Sequence, residues 1–151
     1  MRSSIGTATM TDQTMLLDVN VLLALFDPRH AHHEAAHRWF TTVGSFATTP
    51  LTETAFVRLM SNPKVGGETV ATALEGLRSI RAMSGHRFVP DQTSLADTRV
   101  DLTALVGYRQ VTDFHLINLA ATHECRFATF DAKVTRSLTE ADRHHAVLVP
   151  V

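Results

Sequence analysis

Four acidic residues stand in this chain where an apolar, strand-like run gives way to a helical pattern: Asp18 in LLDVNVLLAL, Glu53 in TTPLTETAFVRL, Asp113 in VTDFHLINLA and Asp131 in RFATFDAKV. Carboxylates brought within about 4–6 Å of one another repel, and without a cation at least one holds its proton well above the ordinary carboxylate range. A divalent ion relieves that repulsion. Because the set contains neither thiolate nor imidazole, it suits a hard cation, Mg2+ or Mn2+, and the natural substrate is a phosphate ester. The expected chemistry is phosphodiester hydrolysis, in which the ion orients a water at phosphorus and neutralises charge on the phosphate oxygens. Asp18 is the foremost ligand in that scheme, since a residue ending a central first strand is rigidly placed. Asp113 and Asp131 complete one or two metal positions, and Glu53 holds a water beside the ion or acts as base. Asn20 and Thr129 are candidates to orient carboxylates or water through hydrogen bonds.

Each acid also has a purely structural reading. An acidic side chain in the first turn of a helix stabilises the dipole or caps free N–H groups, which accounts as well for Glu53 and Asp113. Asp131 suits a turn. Asp18 is different, because it interrupts LLDVNVLLAL, where burial is expected and a buried charge needs partners.

To meet at one place, acids so distant in sequence need a scaffold that gathers strand ends. Short apolar runs alternating with longer helical patterns predict an α/β sandwich with a central, mostly parallel five-stranded sheet flanked by helices. Strands are predicted at Met15–Leu17, Ser45–Thr48, Arg87–Pro90, Arg126–Thr129 and Ala146–Val149. Helices are predicted from about Val19 to Phe26, His32 to Thr42, Pro50 to Met60 and Val70 to just before Gly85. Thr49 followed by Pro50 reads as an N-cap and first helical residue. Leu95 to Val106 reads as one or two short helices, and Thr112 as the cap of a helix carrying Phe114, Leu116, Ile117, Leu119 and Ala120. In an open parallel sheet the C-terminal ends of the strands share one edge, and ligand sites collect there. All four acids fall at that edge.

The bulk properties bound the chain. Its 151 residues, 44% of them hydrophobic, suffice for one core and are too few for two ordinary domains, so residues 15–151 are expected to form a single domain. Residues 1–14, small and polar, read as a disordered leader or an alternative-start extension, with Met10 and Met15 as other starts. A single cysteine, Cys125, excludes an internal disulfide framework and fits a reducing compartment, which makes the cytoplasm the expectation. No run approaches the roughly 20 apolar residues of a membrane helix. The formal net charge of −1 requires any nucleic-acid binding to rely on a local basic surface.

The ordered set LLDVNVLLAL, TPLTETAFVRLMSNP, VTDFHLINLA and ATFDAKV resembles the four motifs of the PIN-domain ribonucleases, in particular the VapC-type toxins of bacterial VapBC toxin-antitoxin systems, and the match runs from Met15 to the C-terminus. The resemblance implies a PIN-like three-layer sandwich and an endoribonuclease dependent on Mg2+ or Mn2+, with Asp18, Glu53, Asp113 and Asp131 as its acids. It further implies a homodimer, a structured RNA substrate such as tRNA or rRNA, and a cognate VapB-type antitoxin whose basic side chains cover the acidic pocket.

Other residues invite chemistry less strongly. His30, His32, His33 and His37 in RHAHHEAAH invite a metal reading, and His33 and His37 are one helical turn apart, a zinc spacing with no third ligand in view. His115, two residues after Asp113, has the option of approaching substrate. Among the basic residues Arg58, Lys64, Arg78, Arg81, Arg109, Lys133 and Arg136, the pair Lys133 and Arg136 follows Asp131 closely and is the first choice for RNA phosphate contacts. Two rival functions remain. A phosphatase of the haloacid-dehalogenase type would use Asp18 as nucleophile, but it expects a second acid where Asn20 stands. A non-catalytic RNA- or protein-binding domain would not need all four acids.

Overall fold

The computed structural model describes residues 13–151. The leader reading of residues 1–12 therefore lies outside the described residues, and Thr14, assigned to that leader from sequence, is the first residue of a strand. Five strands, β1 (Thr14–Leu17), β2 (Ser45–Thr48), β3 (His86–Phe88), β4 (Cys125–Thr129) and β5 (Ala146–Leu148), form one sheet in the order β3-β2-β1-β4-β5. Every pairing is parallel.

Strand alternation divides the core into two layers. Met15 and Leu17 pack on one face with Phe46 and Ala128 beneath α1 (Val19–Phe26), α2 (His33–Phe40), α3 (Pro50–Met60) and α4 (Val70–Ala82). Leu16, Ala47 and Phe127 point the other way, against α5 (Val111–Thr122) and α6 (Ala132–Arg136). The result is a three-layer sandwich. Chain order rises from β1 through β2 to β3 on one side of the sheet and returns to β1's other flank with β4, so the crevice lies at the C-terminal ends of β1 and β4. Leu17 pairs with Ala128, which makes the residues after these two strands leave the sheet side by side.

Two expectations are corrected. Residues 95–106 form no helix; an isolated bridge joins Ser94 to Asp97, and the segment is fixed by side chains. Asp91 accepts from Thr93, the Arg99 N–H donates to Asn118, and the Asp101 N–H donates to Asp142. Such local bonds offer the backbone an alternative to helical pairing. The helix of Asp113 begins at Val111 after a 3-10 turn over Tyr108–Gln110, so Thr112 lies inside it and Gln110 holds the cap position.

The turn after α3 closes tightly on Gly66, which is buried. A Cβ there would stand 2.4 Å from the Met60 carbonyl oxygen and 2.6 Å from the Met60 Cα. The Gly66 carbonyl in turn accepts from the Arg29 guanidinium, which also pairs with Asp27 and so ties down the corner between α1 and α2. Gly66→Ala should lower stability by about 1–3 kcal/mol, the cost of forced overpacking, as read by urea unfolding. An unchanged midpoint would mean that this turn moves freely.

Candidate active site

Asp18 closes β1 and occupies the N-cap position of α1. Its backbone N–H donates to the Ala128 carbonyl at 2.9 Å, so the sheet ladder itself sets its place. The carboxylate is only 8% exposed and accepts a hydrogen bond from the Thr129 hydroxyl at 2.8 Å. That hydroxyl also accepts from the Asp131 N–H at 3.1 Å. Thr129 is thus the bridge between the loops after β1 and β4. Asp131 caps α6, its carboxylate accepting from the Lys133 N–H at 2.9 Å. Asp113 enters from the first turn of α5.

These three acids line one cavity of about 680 Å³, together with Asn20, Thr129 and Arg58. Their electrostatics show the mutual repulsion. Burial holds the Asp18 carboxyl above its ordinary range, opposed by the Thr129 hydroxyl and the Val19 N–H, with Asp131 adding repulsion. Asp113 is pushed up to about 7, by burial first and then by the charges of Asp18 and Asp131. Among the described residues no three His, Cys, Asp or Glu side chains enclose a position for an ion by themselves. The three carboxylates form an open cluster of oxygen donors on one wall of the cavity. Mg2+ fits it well, since that ion keeps several waters and takes one or two carboxylates plus substrate phosphate oxygens.

Glu53, expected beside these acids, does not line this cavity. On α3 the cavity is lined by Thr52, Ala55, Arg58 and Leu59. At 100° per residue, Glu53 lies nearly opposite Ala55 and faces α4. There it accepts from the Thr48 hydroxyl at 2.6 Å and pairs with Arg81 at 3.2 Å. Thr48 also bonds the His86 ring, and the Arg81 guanidinium lies 4.5 Å from the centre of the Phe88 ring. Glu53 therefore joins β2, β3, α3 and α4 into one polar junction.

The remaining candidates are distributed as follows. His115 bonds Asp91 and does not line the cavity. The rings of His33 and His37 each bond a carbonyl at the end of α1, Ala24 and Leu25 respectively, at 2.7 Å, which gives both a structural role. Lys133 and Arg136 are exposed on α6 and do not line the cavity either. Arg81 and Arg78 are paired with Glu53 and Glu75. Arg58 is the cation that reaches the cavity wall. Sequence reasoning did not single out the lining residue Phe130, and it raised His30 and His32 only as part of a histidine run that invites a metal. The RHAHH run was a signal for these two histidines, but nothing local shows which of its rings turn inward.

A family model described as PIN domain matches residues 15–144. Ribonuclease VapC38 of Mycobacterium tuberculosis (strain ATCC 25618 / H37Rv) is 50% identical over 124 residues, covering 79% of this chain and 86% of its own. Ribonuclease VapC39 of the same species (strain CDC 1551 / Oshkosh) is 46% identical over 129 residues, 82% of this chain and 93% of its own. Ribonuclease VapC29 of that strain is 38% identical over 138 residues, 91% and 97% of the two chains. The chain therefore belongs to the PIN-domain family and, within it, to the VapC type. The haloacid-dehalogenase alternative falls with that assignment. Among the described residues no helix is long and apolar enough to cross a membrane.

The raised Asp113 carboxyl has a direct thermodynamic consequence. Between its unfolded pKa of about 3.9 and its folded value of about 7 the folded state binds more protons, so stability falls as pH rises through that window and the loss is complete above it. Asp113→Asn removes the penalty. In EDTA the variant should gain melting temperature over wild type at about pH 8, by about 2–4 °C for each kcal/mol relieved, and gain less at about pH 5. Equal gains at both pH values would contradict the repulsion.

Proposed function

We infer that this chain is an endoribonuclease toxin that hydrolyses phosphodiester bonds in structured RNA, such as tRNA or rRNA, with the help of Mg2+ or Mn2+. The observation that carries the reading is the convergence of Asp18, Asp113 and Asp131 on one cavity in a chain of the VapC type. The preference for these ions is supported by the carboxylate donors. A divalent cation held there would activate a water for attack at phosphorus and neutralise the phosphate oxygens. Asp18 and Asp113, and Asp131 beside them, are the carboxylates that would hold it. Thr129 keeps the Asp18 carboxylate aimed into the cavity and fixes the start of the Asp131 turn. Asn20 lines the same wall, where it can orient water. Arg58 offsets the negative charge of the pocket and gives an incoming phosphate a partner. Lys133 and Arg136, exposed on the helix that Asp131 caps, would continue the phosphate track outward.

The same reading includes a cognate VapB-type antitoxin, a homodimer and a cytoplasmic location. The relatives' VapC names support the first. Exposed apolar side chains such as Leu51, Val65 and Val70 support the second, and the lone, unpaired Cys125 the third.

Purified protein incubated with total tRNA and rRNA should cut only with Mg2+ or Mn2+ and stop in EDTA. Asp18→Asn and Asp113→Asn should each slow cleavage by about 100-fold or more, the scale on which losing one charge-stabilising group acts. Glu53→Ala should behave differently, keeping cleavage by the folded fraction while costing about 1–3 kcal/mol of stability through the unpaired Thr48 and Arg81. Cleavage that survives both aspartate substitutions would overturn the assignment. A stable Glu53→Ala protein without cleavage would return Glu53 to the catalytic set.

A further inference from the structure

Beside the carboxylates, the same cavity has a second chemical character. His30, His32 and Phe130 line it, ring against ring. The His32 and Phe130 ring centres are 5.0 Å apart, those of His30 and His32 5.8 Å, and those of His30 and Phe130 6.3 Å with planes only 26° apart. Such spacing leaves no slot for a further ring, because a sandwich needs about 7 Å between the outer planes. It does offer an outer aromatic face.

Three observations separate this trio from ordinary packing. First, His33 and His37 spend ring nitrogens on α1 carbonyls, whereas among the described residues the His32 ring has no hydrogen-bond partner and His30 uses only Nδ1. Second, His30 Nδ1 accepts from the His32 N–H, which places any ring proton of neutral His30 on Nε2, and burial holds its pKa below the ordinary value. Burial thus favours the uncharged form of the His30 ring. Third, Phe130 stands between Thr129 and Asp131, so its ring is one residue from the groups that build the acid pocket. A phosphate at the carboxylates puts the adjoining nucleotide within reach of this ring.

We propose that His30, His32 and Phe130 form a stacking platform for one unpaired nucleobase next to the scissile phosphate. The inference rests on the ribonuclease reading and deepens it. RNA bases within a helix are stacked and their faces hidden, whereas loop and bulge bases can be splayed onto aromatic side chains. The platform thus selects unpaired positions of a structured RNA as the place of cutting, and it does so with little regard to base identity, since every base has a π-face.

The test uses the full-length protein in EDTA, titrated with a 12-nucleotide single-stranded RNA carrying 2-aminopurine at its centre, beside the same sequence with an abasic centre. Wild type should quench the fluorophore and bind the abasic strand about tenfold more weakly. Phe130→Leu, which keeps the apolar volume packed against the core, should abolish the quench and bind both strands alike, and Phe130→Tyr should restore it. In parallel, with Mn2+, Phe130→Leu should raise KM for the intact strand about tenfold and change kcat less. Wild type that cuts no RNA of any kind overturns the ribonuclease reading and the platform with it. Wild type that cuts RNA while Phe130→Leu matches it in quench and KM overturns the platform alone.

Discussion

The Thr129 hydroxyl, donating to Asp18 and accepting from the Asp131 N–H, is the contact through which the sheet becomes a site. It exists because β1 and β4 are neighbours in register, so that their ends emerge together at the crevice. Two consequences follow from this one juxtaposition. The Asp18 carboxylate is held rigidly in a place where water is scarce, and the Asp131 charge is kept close enough to oppose it. Asp113 then arrives on α5 into a field that is already negative. A fold that concentrates charge in this way is at odds with its own stability unless a cation is available, and that conflict is what the proposed chemistry uses.

Around the acid hollow the protein separates its tasks by helix face. One side of α3 supplies Ala55, Leu59 and Arg58 to the cavity, and the other sends Glu53 into the junction with Thr48, Arg81 and His86. The small Ala55 leaves the cavity room, while the buried Glu53 is satisfied by two partners, as a buried charge must be. The α1–α2 corner is similarly divided. His33 and His37 secure it to the end of α1, and His30 and His32 turn their rings toward Phe130. Acid wall and aromatic wall together match the two halves of a nucleotide, phosphate and base.

Much of this was legible in the sequence, for reasons that can be named. The short apolar runs at Met15–Leu17, Ser45–Thr48 and Arg126–Thr129 are buried on both faces, so their composition marks them as central strands. Thr49-Pro50 marks the start of α3 because proline presets the first helical turn. Asp18, Asp113 and Asp131 were legible because their places depend only on where strands and helices begin and end. The direction of Glu53 was not legible because the rotation of α3 about its axis is set by packing against α4, and the local sequence does not carry it. The 95–106 segment misled through Leu95, Leu102 and Leu105, whose helical spacing is accidental; only Val100 of that stretch is fully buried. The aromatic wall was not legible because the local sequence does not carry which rings of RHAHH turn toward Phe130.

The account stands on a carboxylate cluster whose repulsion a divalent cation relieves, and calorimetric titration of the purified protein with Mn2+ addresses it most directly. Run near pH 6 in two buffers of different ionisation enthalpy, it should show saturable binding with release of a proton from Asp113, a release that fades near pH 8 and is reduced in Asp113→Asn. Binding with no proton release at either pH, or unaltered in Asp113→Asn, would contradict it.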